Sequence, residues 1–182
     1  MNADRAVFPL FEFLDGTHQA IAQQLRRLHA VVDAIEFSGL NTDTCDQVRA
    51  ALDFFRHEAR QHHLDEEKHV LPVLLASQDP AIVQLAERLR QDHRWLEENW
   101  LQITPSLEAA AGGKQWFDLA ALRHALEAFS ALYLDHVLLE ESIAYPEAKQ
   151  RLLAYDRAGM GREMAKRREL AKRQALGAKP NS

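Results

Sequence analysis

One pattern of 18 positions occurs twice in the chain. Both copies read F-x6-H-x3-E-E-x4-P, and they begin at Phe55 and Phe129, 74 residues apart. An offset of 75 also pairs His18 with His93. Self-similarity at a fixed period is typical of a supersecondary unit used more than once. The repeat therefore predicts a helical hairpin that occurs twice.

Four segments carry apolar residues at helical spacing, and each has start or stop signals at its ends. Because long helices with short connections pack as antiparallel neighbours, we predict an all-α protein with an up-down-up-down four-helix bundle over residues 1–150. The predicted helices run from about Asp15 to Phe37, from Asn41 past a break or kink at Pro72, from Asp79-Pro80 to Gly112-Gly113, and from about Asp118 to Pro146.

The C-terminal segment, residues 151–182, differs from the rest in charge. Ten basic and three acidic residues lie from Lys149 onward, although the whole chain has a net charge of −5, so the predicted bundle is acidic. An acidic bundle argues against nucleic acid as a partner, because phosphate binding requires basic surface. We predict a basic helical tail with a helix over Arg162 to Leu176. An exposed, amphipathic closing helix is favoured over a segment that docks on an acidic partner or a membrane surface.

The repeat also selects particular polar residues. The stretch HHLDEEKH contains two overlapping HxxxE pairs, and only His62/Glu66 has a counterpart in the second copy. His62 and Glu66 also continue the apolar stripe of their helix in steps of three and four, which predicts that both point into the bundle. The same stepping places the other members on core stripes. The predicted site consists of His18, His62, Glu66, His93, His136 and Glu140.

Burying four histidines and two glutamates without a ligand costs several kcal/mol, so a bound cation is expected. The i, i+4 spacing of HxxxE puts an imidazole and a carboxylate on one helix face. Six donors exceed the four that a zinc ion takes, and a mixed nitrogen and oxygen set suits two iron or manganese ions. The remaining histidines are expected to have ordinary structural roles, and Glu67 and Glu141 to support the site or face solvent. These histidines are His29, His57, His63, His69 and His124.

Together these motifs resemble the hemerythrin-like, or HHE cation-binding, domain family. The resemblance lies in His18, HHLDEEKHVLP, QDHRWLEE and DHVLLEESIAYP, and covers about residues 10 to 150. It implies two non-haem iron ions, oxo- or hydroxo-bridged, with carboxylates across the pair and histidines capping it. Manganese or zinc are the expected substitutes. Oxygen-carrying hemerythrins have two histidines four apart in the third helix, whereas this chain has His93 and Glu97. This departure argues against reversible oxygen carriage and leaves open whether Glu97 is a ligand.

Three functions fit these residues. The first is a di-iron protein that binds or senses oxygen, iron or a related small oxidant, and the alternative is a di-iron oxidoreductase acting on peroxide or nitric oxide. The third is a structural bundle with zinc or no metal. The single cysteine, Cys45, and the lack of a leader pattern or an 18-residue apolar run lead us to expect a cytoplasmic protein without a membrane partner. The sequence leaves the oligomeric state open.

Overall fold

Every secondary-structure element in the described part of the chain is a helix, which confirms the predicted all-α class. The structure is a computed structural model that describes the backbone of residues 9–152 and 154–177, and the side chains of 10–152 and 159–170. Residues 1–8 of the predicted bundle, and residues 153 and 178–182 of the predicted tail, lie outside the described residues.

The described elements follow one another with short connections. They are α1 (Pro9–Ser38), α2 (Thr42–Phe54), the π-helical turn π1 (Phe55–Ala59), α3 (Arg60–His69), α4 (Leu71–Leu75), α5 (Pro80–Ala111), α6 (Leu119–Leu139), a second π-helical turn π2 (Glu140–Ala144), α7 (Tyr145–Arg151) and α8 (Ala154–Gly177).

The helix starts are set by side-chain caps at the predicted positions. The Asn41 side chain accepts a hydrogen bond from the backbone N–H of Thr44 at 3.0 Å, and Thr44 Oγ1 accepts one from the backbone N–H of Asn41 at 2.9 Å. The Asp79 side chain accepts a hydrogen bond from the backbone N–H of Ala81 in α5, and the Asp118 side chain accepts one from that of Ala121 in α6. Such caps pair backbone donors that the first helical turn leaves free. The predicted break near Pro72 is also present, since α3 ends at His69 and α4 begins at Leu71.

The core consists of two hydrophobic clusters with a polar layer between them. The first cluster lies on one side of the layer and includes Leu25, Leu96 and Phe129, and the second lies on the other side and includes Leu14 and Leu89. Helix α1 packs against α2 and α6, and α5 packs against the same two helices. The four segments therefore surround the polar layer. Their up-down-up-down order stays a prediction.

Helix α1 begins earlier than the sequence predicts, at Pro9 instead of Asp15. Its added turns bury Leu10, Phe11 and Leu14 in the second hydrophobic cluster. The apolar stripe of the helix therefore continues toward the N-terminus of the described residues.

The two copies of the repeat differ in their backbone. The turn π1 precedes His62 in the first copy, whereas π2 follows His136 in the second. A π-helical turn takes up one residue more than an α-helical turn, so the residues after it change face. The sequence predicts Ile143 on the core stripe, and this is wrong: Ile143 is 43% exposed, while Ala144 is fully buried.

Helix α8 packs against α1 instead of projecting freely into solvent. Met164 is fully buried, and the guanidinium groups of Arg167 and Arg168 reach the carboxylate of Asp65 at 2.7 and 3.5 Å. Asp65 is fully buried beside Glu66. Residues 159–170 therefore have both apolar and ionic contacts to the bundle, which fits the amphipathic pattern, and they are covered on that side instead of exposed. Among the residues that the structure describes, no helix is long and apolar enough to cross a membrane.

Candidate metal centre

The polar layer brings together all six residues that the repeat selects. α1 supplies His18, the α3 segment supplies His62 and Glu66, α5 supplies His93, and α6 with π2 supplies His136 and Glu140. None of the six exposes more than 4% of its surface. The steps of three and four along each helix thus bury polar side chains where apolar ones would otherwise lie.

These six residues, together with His63, form two groups of potential metal donors that share the carboxylate of Glu66. The first group is His18, His62, Glu66 and Glu140, and the second is His63, Glu66, His93 and His136. In each group one donor atom per residue lies within 4.8 Å of all the others. Two adjacent groups around a common carboxylate are suited to a pair of ions.

The separations between imidazole and carboxylate atoms match those of ligands around a common ion. His62 Nε2 lies 3.3 Å from Glu66 Oε1, and His18 Nε2 lies 3.2 Å from Glu140 Oε2. In the second group His93 Nε2 lies 3.4 Å from Glu66 Oε2. Two donors at right angles, each about 2.1 Å from one ion, lie about 3 Å apart. The donor atoms therefore surround positions of the right size for metal ions.

Both buried carboxylates face both groups. Glu66 directs Oε1 toward His62 and Oε2 toward His93. Glu140 directs Oε2 toward His18 and Oε1 toward His136, at 3.2 and 3.3 Å. Each glutamate can thus give one oxygen to each of two ions, which is the arrangement of a bridging carboxylate.

Many donor atoms in this layer have no hydrogen-bond partner, although they are buried. They include both ring nitrogens of His62 and of His136, Nε2 of His93, Oε2 of Glu66 and Oε2 of Glu140. Buried polar atoms are nearly always hydrogen-bonded, and each exception requires an explanation. Metal coordination would use these lone pairs. The donor set therefore fits a bound cation on grounds that are independent of any resemblance.

The second glutamate of each HxxxEE motif supports a histidine from another helix. Glu67 Oε1 accepts a hydrogen bond from Nδ1 of His93 at 3.0 Å, and Glu141 Oε1 accepts one from Nδ1 of His18 at 2.9 Å. Both carboxylates are about half exposed. Such bonds hold the ring so that Nε2 points inward and raise its strength as a donor. The sequence predicted this supporting role as one of two alternatives for Glu67 and Glu141.

His63 is the donor that sequence reasoning missed. It was set aside because its counterpart in the second copy is Val137, yet the structure places it in the second group with Glu66, His93 and His136. Its ring stacks on His93 with a centroid distance of 4.3 Å, and Nε2 is 3.0 Å from the hydroxyl of Tyr133. The available signal was the second HxxxE pair in HHLDEEKH, which the symmetry of the repeat removed from consideration.

Glu97 lies outside both groups of donors. Its side chain is 59% exposed, and its carboxylate is 3.7 Å from Nε of Arg60. The second group nevertheless contains three histidines. Helix α5 supplies only one of them, His93, but His63 of α3 is added to it and His136. The site is therefore richer in nitrogen than the sequence predicts from Glu97.

The other histidines lie outside the two donor groups, as expected. His69 is buried, but it pairs with Glu163 Oε2 of α8 at 2.8 Å, and His29 pairs with the hydroxyl of Ser130 at 2.9 Å. His57 and His124 are exposed. Within the described residues, these four histidines therefore pair with other groups or face solvent.

Without metal, protonated and neutral imidazoles coexist in the layer. Burial lowers the pKa of His18, but Glu140, Glu66 and Glu141 together raise it to about 8. Burial likewise lowers the pKa of His136, but Glu140 and Asp92 raise it to about 10. Two other histidines, His62 and His63, have a pKa well below the usual value because of burial and their cationic neighbours.

The pKa values of the two buried carboxylates, Glu66 and Glu140, are shifted in opposite directions. Burial, followed by repulsion from Glu140, raises the pKa of Glu66. Burial also raises the pKa of Glu140, but the charges of the nearby His136 and His18 outweigh it and hold that pKa well below 4.5. Protons on His18 and His136 thus balance Glu140 in the absence of a cation, and a cation would displace them.

A cavity of about 460 Å³ opens beside the second group. It lies between the α2–α3 segment and α5, and His63, His93 and Tyr133 are among its lining residues. Solvent and small molecules therefore have a direct route to this side of the polar layer.

Two comparisons with known proteins bear on this site. The model of the hemerythrin HHE cation binding domain matches residues 10–148. An uncharacterized protein of Haemophilus influenzae is 28% identical over 159 residues, which are 87% of this chain and 90% of that protein. Residues 10–148, which the family model matches, contain every side chain of the two donor groups.

Proposed function

The chain belongs to the hemerythrin HHE cation-binding domain family, and from this premise we propose that it is a non-haem di-iron protein that binds or senses oxygen, iron or a related small oxidant. The family and the His/Glu clusters establish potential for metal binding. The proposal also includes iron as the metal, a pair of ions, the up-down-up-down order of the bundle with its basic tail, and a cytoplasmic location.

One observation carries the proposal. Buried ring nitrogens and carboxylate oxygens without hydrogen-bond partners lie close together, and two carboxylates among them face both donor groups. His18 and His62 would hold one ion, His63, His93 and His136 would hold the other, and Glu66 and Glu140 would be shared between them. Since iron takes up to six donors, five nitrogens and two carboxylates would leave room for an external ligand.

When bound, a ferrous pair supplies the electrons for binding or reducing a small oxidant. The protein holds the ligands in place. The Tyr145 hydroxyl donates a hydrogen bond to Glu66 Oε1 and lies 3.2 Å from His18 Nε2. Its ring stacks on that of His18 with a centroid distance of 5.4 Å. Tyr145 therefore fixes the orientation of a bridging carboxylate and of one histidine.

A second candidate function is a di-iron oxidoreductase that acts on peroxide or nitric oxide. The cavity beside His63 and His93 favours it, because turnover requires repeated entry of substrate and exit of product. A sensor with one tightly held ligand has no such requirement.

The proposal is tested by titrating the full chain with ferrous iron under nitrogen and measuring bound iron. We expect about two irons per chain, and oxo-bridge absorption in the near ultraviolet that appears in air and is lost on reduction. Glu66→Ala should remove both ions, whereas the adjacent Glu67→Ala should retain them with weaker affinity. Binding of fewer than one iron, or equal loss in both variants, would contradict the assignment.

Steady-state consumption distinguishes the two functions. Peroxide or nitric oxide should disappear catalytically in the presence of the iron-loaded protein and a reductant if it is an enzyme. A single stoichiometric reaction would support a binding or sensing role.

A further inference from the structure

The cavity beside the second donor group is much larger than a small oxidant requires. Its volume is about 460 Å³. A water molecule takes about 30 Å³ in the liquid, so the cavity has room for about 15 waters, whereas a diatomic ligand needs roughly the space of one. Its size lies within the range of pockets that bind organic molecules.

The walls of the cavity are aromatic and rigidly packed. Phe55 lies 4.7 Å from Trp100 and 5.5 Å from Phe129 between ring centroids, and all three rings line the cavity. Each of these side chains is buried against the first hydrophobic cluster. The aromatic surface is therefore preformed, and an apolar body would bind without reordering it.

The remaining lining residues include three arginines. Arg56 belongs to π1, Arg60 to α3 and Arg94 to α5. Arg56 pairs with Glu108, and Arg60 has only a long ion pair of 3.7 Å with Glu97. Arg94 donates a hydrogen bond to Gln91. A guanidinium has five N–H donors, so these contacts leave donors for an additional anion.

Three arginines and two glutamates line the cavity, so its lining carries one more positive than negative charge. The glutamates are Glu67, which accepts a hydrogen bond from His93, and Glu97, which is 3.7 Å from Arg60. The cavity thus combines an aromatic interior with cationic residues, and its polar end is formed by His63, His93 and Tyr133.

We propose that this cavity is a binding site for a small organic acid with an aromatic or aliphatic body. The acid group binds at Arg60 and Arg94, and the body lies against Trp100 and Phe55. Bound in this way, the ligand covers His63 and His93 on the side of the second donor group. The inference goes beyond the proposed function, because it requires no metal.

The test is calorimetric titration of the full chain with 4-phenylbutyrate, and with the neutral 4-phenyl-1-butanol as the matched ligand. The acid should bind about tenfold more tightly than the alcohol, because a charge-assisted contact to arginine is added to the same apolar body. Arg60→Gln combined with Arg94→Gln should reduce the affinity for the acid by about tenfold and leave that for the alcohol unchanged.

The matched control is Arg26→Gln combined with Arg27→Gln, since both arginines are exposed and neither lines the cavity. This variant should bind the acid as the original chain does. The proposal is overturned if the two ligands bind equally, if neither binds at millimolar concentration, or if both double variants behave alike. Titrations of metal-free and iron-loaded protein, with iron measured separately, keep this outcome distinct from a failure of the di-iron assignment.

Discussion

Replacing Glu66 by glutamine should change stability in opposite directions with and without metal. Glu66 is fully buried, belongs to both donor groups, and has one carboxylate oxygen, Oε2, without a hydrogen-bond partner. Burial and repulsion from Glu140 raise the pKa of Glu66, so the charged form is disfavoured in the metal-free protein. The amide has the same shape and no charge, and its oxygen can still accept the hydrogen bond from Tyr145.

The magnitudes follow from burial and from binding linkage. A buried unsatisfied group costs about 1–3 kcal/mol, so the metal-free Glu66→Gln variant should be as stable as the original or more stable by up to that amount. With free metal at 100 times Kd, each site adds about 2.7 kcal/mol. Two sites add roughly 5 kcal/mol, which raises Tm by about 10–20 °C for a chain of this size. The variant should lose more than half of that rise, because both sites share Glu66.

Scanning calorimetry under nitrogen, with and without ferrous iron, measures both quantities. Glu67→Gln is the control, since Glu67 is adjacent in sequence but 41% exposed and outside both donor groups. It should keep most of the metal-induced rise in Tm. The reasoning is refuted if Glu66→Gln destabilises the metal-free protein by several kcal/mol and keeps the full metal-induced rise.

Three further predictions concern other parts of the structure. Asp65→Asn should destabilise the protein by about 2 kcal/mol in urea unfolding, because it removes a fully buried partner of Arg167. Asp46→Asn, which removes one partner of an exposed ion pair, should cost less than about 0.5 kcal/mol. Equal effects of the two substitutions would exclude the role of burial. The pKa values of His18 and His136, about 8 and about 10, lie above the unfolded value of 6.5, so their contribution to metal-free stability is complete below pH 6.5 and is lost as pH rises through those values. Burial lowers the pKa of His93, but Glu66 and Glu67 outweigh it, so this pKa is also raised. Metal binding at pH 7 should therefore release at least about two protons per chain, measured by calorimetry in buffers of different ionisation enthalpy, and no release would contradict these pKa values. His63→Ala should weaken the binding of one ion and leave the other, whereas the exposed His57→Ala should change neither, and iron titration that shows two unchanged sites in His63→Ala would remove His63 from the ligand set.

The sequence was sufficient to predict which helix faces are buried and which polar residues meet. Steps of three and four identify His62 and Glu66 on the core stripe, and capping residues such as Asn41 locate helix starts to within a residue. Both signals are local, because a side chain's face depends only on the helical period and a cap acts within one turn.

Three features of the structure could not be predicted from the sequence, each for a different reason. The turn π2 moves Ile143 off the core stripe, and nothing in the pattern of apolar residues marks that turn. The symmetry of the repeat also led to the exclusion of His63. A set of metal ligands has no need to follow that symmetry: His63 belongs to the second donor group, and Glu97 faces solvent. The contacts of Arg167 and Arg168 with Asp65 join residues about 100 positions apart, and periodicity has no information on such pairs.

The central claim is that two ions share Glu66 and Glu140 between two histidine groups. Anomalous scattering at the iron edge from crystals of the iron-loaded protein tests it most directly. The account predicts two peaks about 3.5 Å apart, each within bonding distance of both carboxylates, with His63 bound to the ion that His93 and His136 also hold. A single peak, or peaks only at exposed carboxylates such as Glu141, would contradict it.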